Sequence, residues 1–204
     1  SLEKLCQKTK HRGTTGMTNR CWWSGDDPVY IAYHDEEWGV PIHDERLLFE
    51  FLCLEGQQAG LSWITVLKKR DHYRECFNNF EIEKVAKLTD VTIEKLLLDP
   101  GLIRNRLKLY SIRLNAKAFI EVQKEFGSFD SYIWDFVKGE TLDGKRKDAK
   151  AVPATTELSE AMSKDLKKRG FKFIGGTICY AYMQAAGLIN DHTSDCFRYK
   201  ELKK

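Results

Sequence analysis

Residues 99–126 read DPGLIRNRLKLYSIRLNAKAFIEVQKEF. Asp99-Pro100-Gly101 stops whatever helix precedes it, because proline cannot continue a helix and glycine accepts backbone angles that other residues resist. From Leu102 to Phe126 there is neither glycine nor proline, and Ile103, Leu107, Tyr110 and Leu114 recur at helical spacing. The spacing predicts one long helix with those four on an apolar stripe.

Upstream, two short helical segments at 83–88 and 90–98 lead into the stop. Before them, ERLLFEFLCL at 45–54 is apolar nearly all round, which suits a deeply buried helix. Ser62 can cap a further helix, SWITVLKKRDHYRECF, with Ile64, Leu67, Tyr73 and Phe77 at helical intervals. Downstream lie an aromatic segment at 129–137, one long loop at 139–156, a helix ending at Gly170, and TICYAYMQAAG, capped by Thr177 and stopped by Gly187. No run alternates with period two and no internal repeat occurs, so an all-α fold is expected.

At 204 residues the chain suits a single domain with a substantial core. Lysine and arginine exceed aspartate and glutamate by only 33 to 30, so any nucleic-acid footprint must be local. No stretch approaches a membrane span and no amino-terminal leader stands out, so an intracellular protein is expected. The six cysteines are irregularly spaced, and Cys53, Cys76 and Cys179 sit in apolar helical patterns as small buried hydrophobes.

RCWWSGDDPVYIAYHDEEW, residues 20–38, crowds a cysteine, a histidine, three tryptophans and two tyrosines into nineteen positions. Its Cys21-x12-His34 pair has a counterpart at the far end of the chain, His192-x3-Cys196. Two thiolates and two imidazoles make a closed tetrahedral zinc set, which leaves no position for water activation and therefore points to a structural ion. Each pair alone is a weak signal. Together they could clip two segments lying outside the helical body. His11, His43 and His72 lack a partner at ligand spacing and read as surface residues.

CLEGQQAGLSW, residues 53–63, runs from a buried-looking helix into a carboxylate, two amides and two glycines. Glu55 there is either solvated at a helix end or retained for a ligand. The turn at Gly101 can point backbone N–H groups at a phosphate. Arg104, Arg106, Lys108, Arg113 and Lys117 follow without an acid between Pro100 and Ile120. A second basic cluster comprises Lys164, Lys167, Lys168, Arg169 and Lys172. Two such clusters with a helix-hairpin-helix suggest sequence-independent binding of a phosphate backbone.

The strings DPVYIAYHDEEWGVP, CLEGQQAGLSWITVLKKR and LKKRGFKFIGGTICYAYMQAAGLINDH resemble the type I 3-methyladenine DNA glycosylases, bacterial base-excision repair enzymes of the helix-hairpin-helix superfamily. The resemblance covers residues 20–196. It implies a monofunctional hydrolase, without lyase activity, that flips an N3-methylated adenine from duplex DNA and cleaves its N-glycosidic bond. It also implies one structural zinc on Cys21, His34, His192 and Cys196, joining the N- and C-terminal segments. The implied base pocket is Trp23, Tyr30, Tyr33, Glu55 and Trp63, with Trp38 at the rim, Trp22 as packing, and Glu55 and Tyr33 as the catalytic candidates. Gln58, Leu61, Gly101, Arg104, Lys168 and Arg169 are the expected DNA contacts, with Gln57, Gln58 or Leu61 filling the gap left by the flipped base. Partners implied are alkylated double-stranded DNA and free 3-methyladenine as product, for a monomer acting on nucleoid DNA in a bacterial cytoplasm.

Two features depart from the wider helix-hairpin-helix glycosylases and are shared with the type I family. Ile103 stands where a second hairpin glycine is usual, and Asp130 and Asp135 match no catalytic-aspartate motif. Glu55 is therefore expected to recognise the base first and to serve proton chemistry second. A non-catalytic damage-binding protein of the same fold and a zinc hydrolase are the competing classes, the last requiring an open coordination position. Residues 1–19 lie outside the resemblance and are expected to form a flexible extension to a single 20–204 domain. Whether that segment is a natural extension, a DNA-contacting arm or an expression remnant is left open.

Overall fold

Short polar caps start most of the helices. In the computed structural model, which describes residues 18–203, Asp27 caps α1 (Pro28–Glu36) by accepting from the Val29 N–H, with Pro28 in the first turn. Asp44 opens α2 (Glu45–Gln57) in the same manner. There follow α3 (Trp63–Leu67), α4 (Arg70–Cys76), α5 (Ile82–Ala86) and α6 (Asp90–Leu96), the last capped by Thr89. α7 (Arg106–Phe126) is capped by Asn105 and ends at Gly127, whose φ of 85° favours glycine. α8 (Phe129–Asp135) leads into the long loop, which carries β1 (Leu142–Asp143). α9 (Glu157–Lys168), α10 (Gly176–Ala185), β2 (Ile189–Asn190) and α11 (Phe197–Leu202) complete the chain.

The chain is mostly helical, as expected. The described residues add one two-residue parallel pairing, Leu142 opposite Ile189, which pins the loop after α8 to the segment after α10. No helix among them is long and apolar enough to cross a membrane.

α2 is the axis of the core. Every residue from Leu48 to Gln57 is buried, and the helix packs against α7, α8 and α10. Its one fully buried acid before the site, Glu50, is held by Arg74 at 2.7 Å and Arg46 at 3.1 Å, as a buried carboxylate requires.

Several local expectations change. α2 continues through Glu55 to Gln57, so those residues lie in a helix and not in a turn after it. The helix expected from Ser62 to Phe77 breaks into α3 and α4; Ser62 bonds Thr65 Oγ1 at 2.7 Å and caps no backbone group. Gly175 precedes α10, and Thr177 does not cap it. The stripe on α7 is also reversed: Leu107 is 71 % exposed and Leu114 42 %, while Leu109, Ile112, Ala116 and Phe119 are fully buried. α7 carries two apolar stripes, and the one through Ile112, Ala116 and Phe119 is the buried one.

α1 and α11 were not expected. In the 28–36 helix Tyr30, Tyr33 and His34 share the inward face while apolar Val29 and Ala32 are exposed, which weakens its hydrophobic periodicity. Residues 1–17 lie outside the described residues, and with them His11, Cys6 and most of the expected extension. Asn19 belongs to the folded body: its carbonyl accepts from Phe197 N–H at 3.0 Å, which ties it to α11.

Candidate active site and metal centre

Cys21, His34, His192 and Cys196 are all buried and bring their ligand atoms within 4.8 Å of one another. His34 sits in α1, so that half of the set is held by a helix and not by a loop. Cys21 Sγ lies 3.4 Å from His192 Nδ1, and Cys196 Sγ lies 3.4 Å from His192 Nδ1 and 3.5 Å from His34 Nε2. With bonds of about 2.3 Å to sulfur and about 2.0 Å to nitrogen, the ligand atoms of a tetrahedral zinc stand roughly 3.5 Å apart.

The surroundings fit a metal as well. His34 Nδ1 meets Asp35 Oδ1 at 2.7 Å, Asp35 is in turn held by Arg20, and His192 Nε2 meets the Trp38 carbonyl at 2.8 Å. Each ring thus turns one nitrogen to the set and anchors the other on an oxygen, the usual support for a ligating histidine. Cys196 is favoured as thiolate by Cys21, His192 and His34, while Cys21 is pushed up by that neighbouring sulfur and by burial. The residues could therefore hold a metal ion such as zinc.

An aromatic chain connects this centre to a cavity. Trp23 stands edge-on to His34 at 5.1 Å between ring centroids and to Trp38 at 5.0 Å, and Trp38 is edge-on to His192 at 4.7 Å. Tyr30 lies 4.9 Å from Trp23, and Tyr33 lies 5.6 Å from Trp63. The rings of Trp23, Tyr30, Tyr33, Trp38 and Trp63 and the carboxylate of Glu55 wall a cavity of about 290 Å³. That is the lower end of small-molecule pockets, the size for one base and not for a nucleotide with its phosphates.

Glu55 is 4 % exposed, and among the described residues no side chain or backbone N–H hydrogen-bonds its carboxylate. Burial pushes its pKa up to about 8. Burial, then the nearby Glu55, raises Tyr33 well above the usual phenol value and Tyr30 in the same direction. The buried indole N–H groups of Trp23 and Trp63 find no acceptor among the described residues either. A carboxyl and two donors left unpaired around one cavity are costly for stability and suited to a polar aromatic guest.

All six residues proposed for the base pocket line this cavity. Two neighbours exchange roles, however. Trp38 is 8 % exposed and packs on His192 inside the wall, whereas Trp22, expected to be packing, is 52 % exposed at the mouth. The far wall escaped the sequence: Val152, Pro153 and Ala154 of the long loop, and Thr177, Tyr180 and Gln184 of α10. Only the Gly175-Gly176 start of α10 hinted at a close approach.

The expected DNA contacts separate into free and committed groups. Gln58 lines the cavity, and Leu61 is 40 % exposed just beyond it. Gln57 is fully buried, donating to the Lys108 carbonyl and accepting from Tyr73 Oη, both at 2.9 Å, so it cannot reach a duplex. Lys108 is buried as well, its ammonium on the carbonyls of Gln57 and Ala59. Arg106 pairs with Glu94, Arg113 with Asp90, and Arg169 with Asp165 and Glu125. Arg104, Lys117, Lys164, Lys167, Lys168 and Lys172 are exposed, with no ion-pair partner among the described residues. The Gly101 N–H donates to Asp99 Oδ1 at 2.8 Å. Asn115 bonds both the N–H and the carbonyl of Lys172, and Gly56 packs on Phe173, where a Cβ would come within 3.1 Å. These contacts hold the second basic cluster against α7 and the end of α2. Asp130 pairs with His43, and neither it nor Asp135 lines the cavity.

The family profile described as methyladenine glycosylase matches residues 22–199. The chain belongs to that family. Among its methyladenine glycosylase relatives, the DNA-3-methyladenine glycosylase of Haemophilus influenzae is 53 % identical over 180 residues, covering 88 % of this chain and 97 % of that protein. DNA-3-methyladenine glycosylase 1 of Escherichia coli is 51 % identical over 180 residues, covering 88 % and 96 %. A crystal structure of a 3-methyladenine DNA glycosylase I variant in complex with 3-methyladenine is 39 % identical, with a TM-score of 0.86 over 88 % of this chain and 97 % of that one.

Proposed function

We propose that the protein is a base-excision repair hydrolase that removes N3-methylated adenine from DNA. The observation that carries this reading is the unpaired carboxyl of Glu55 inside an aromatic cavity of base size, in a chain of the methyladenine glycosylase family. Methylation at N3 leaves the attached purine positively charged. Each electron-rich ring then favours it over neutral adenine by about 0.5 to 2 kcal/mol, and the burial that raises Glu55 strengthens its attraction to a cation. The cation lowers Glu55's pKa in turn, so the residue ionises as the base enters and accepts from its exocyclic amine. Trp23 and Trp63 can donate to ring nitrogens.

Cleavage breaks the bond between the sugar C1′ and the base N9. The bonding pair stays with N9, which neutralises the base, and water adds to C1′ and loses a proton. A cationic leaving group needs little acid catalysis, so Glu55 and Tyr33 act chiefly by holding the base where its charge and departure are favoured. Flipping costs less for a damaged base, which adds selectivity.

On the DNA side, α6, the turn after it and α7 serve as a helix-hairpin-helix. Arg104 and the free lysines of both clusters meet phosphates, and Leu61, with Gln58 behind it, enters the gap in the stack. The ion held by Cys21, His34, His192 and Cys196 is a structural zinc. The four-ligand set disfavours a zinc hydrolase, because it leaves no open position. The enzyme is read as a monomer working on nucleoid DNA in a bacterial cytoplasm.

Release of free 3-methyladenine from alkylated DNA by zinc-replete protein tests the activity. No release would leave only a damage-binding protein. Glu55→Gln is expected to cut excision by at least about 100-fold while non-specific DNA affinity stays within about twofold. Unchanged excision would remove Glu55 from the site.

A further inference from the structure

A second group of metal-binding side chains lies away from the cavity, where α4 meets the turn after α6. His72 and Cys76 are four residues apart on α4 and share one face, so His72, expected to be a surface residue without a ligand partner, has one in Cys76, which is only partly buried. Asp99 comes from the turn, and the three ligand atoms lie within 4.8 Å of one another. Cys76 Sγ is 3.5 Å from His72 Nε2 and 3.7 Å from Asp99 Oδ2, close to the edges of roughly 3.5 Å that a tetrahedral zinc needs. Nε2 and Oδ2 are 2.7 Å apart and must open by about 0.6 Å to ligate the same ion.

The supports of a ligand set are present too. Asp99 Oδ1 accepts from the Gly101 N–H, which leaves Oδ2 to face His72 and Cys76. On the far side of the imidazole, Glu75 Oε2 is 3.6 Å from Nδ1, within ion-pair range but too long for a hydrogen bond. Gly101 allows the closure: a Cβ there would come within 2.4 Å of the His72 ring. The His72 and Asp99 side chains are 38 % and 28 % exposed, so a fourth position opens to solvent.

We propose that His72, Cys76 and Asp99 form a second, three-ligand site for a zinc-class transition ion, bridging α4 to the turn between α6 and α7. One nitrogen, one sulfur and one oxygen donor suit such an ion better than magnesium or calcium, which prefer oxygen alone. The fourth position takes water or an oxygen ligand. The site stands independently of the glycosylase activity and of the Cys21 set.

The test is a metal count on the full-length protein, stripped with chelator, reloaded with Zn2+ or Co2+ and desalted. Two ions per chain are expected, falling to one in His72→Gln and in Cys76→Ser, with a matching loss of thiolate-to-Co2+ absorption. Asp99→Asn serves should either variant fold poorly. A count that these variants leave unchanged overturns the proposal. One ion, lost in His72→Gln but kept in Cys196→Ser, would uphold this site and remove the ion from the Cys21 set. No bound ion would remove both.

Discussion

Glu55 has a folded-state pKa of about 8 against an ordinary value of 4.5. Between those values the unfolded chain has lost a proton that the folded protein keeps, so stability falls as pH rises through the window, by about 1.4 kcal/mol per unit. Glu55→Gln is expected to flatten that slope and to be the more stable protein at pH 8.5, with the two converging near pH 4.5. Urea midpoints from pH 5 to 9 measure it, and parallel curves for the two proteins would show that burial does not raise Glu55. From sequence alone this residue had two readings of equal weight, because a glutamate after an apolar run looks the same whether the helix has ended or not. Its importance comes from the continuation of α2 to Gln57, which takes the carboxyl out of water.

Among the elements, α2 and α7 are locked by an exchange of polar groups. Gln57 donates to the Lys108 carbonyl, and the Lys108 ammonium returns to the carbonyls of Gln57 and Ala59. Gln57 is the last residue of α2 and Ala59 lies just beyond it, where carbonyls lack helical partners. Gln57→Ala would leave the Tyr73 hydroxyl without its acceptor and open a void, at about 2 to 4 kcal/mol, while the Lys108 carbonyl keeps the Ser111 hydroxyl. Denaturant unfolding reads the loss, and a change below about 0.5 kcal/mol would mean the lock is idle. Lys108 also shows where sequence reading stops. Among the basic residues of α7 it looked like a phosphate ligand, yet its partners lie about fifty positions away, and only the packing of two helices brings them to it. The α7 stripe was misjudged for a related reason, since two apolar stripes on one helix differ in fit and not in hydrophobicity.

For the whole molecule, the Cys/His set was the most legible feature, because thiol and imidazole spacing survives without a fold. The near wall of the cavity was legible through its aromatic density. The far wall was not, since residues such as Val152 and Ala154 carry no chemical signature until a loop is folded back. Removing the ion is expected to lower Tm by about 10 °C or more and to abolish excision together with it, by loosening the Trp23 and Trp38 walls. Thermal melts with and without chelator check this. An unchanged Tm in a protein shown to be free of metal would dismiss a structural ion.

The same clasp orders events during synthesis. His34 and His192 are 158 positions apart (192 − 34), yet their rings sit 4.8 Å from each other. At about 5 to 20 residues per second, roughly 8 to 30 s separate the appearance of the first histidine from that of the second. Throughout that interval Tyr33 can already pack on Trp63, but Cys21 and His34 lack the other half of their set. The four-residue set therefore closes last, so the Trp23 and Trp38 walls that pack edge-on against its histidines are fixed only when nearly all of the chain has been made.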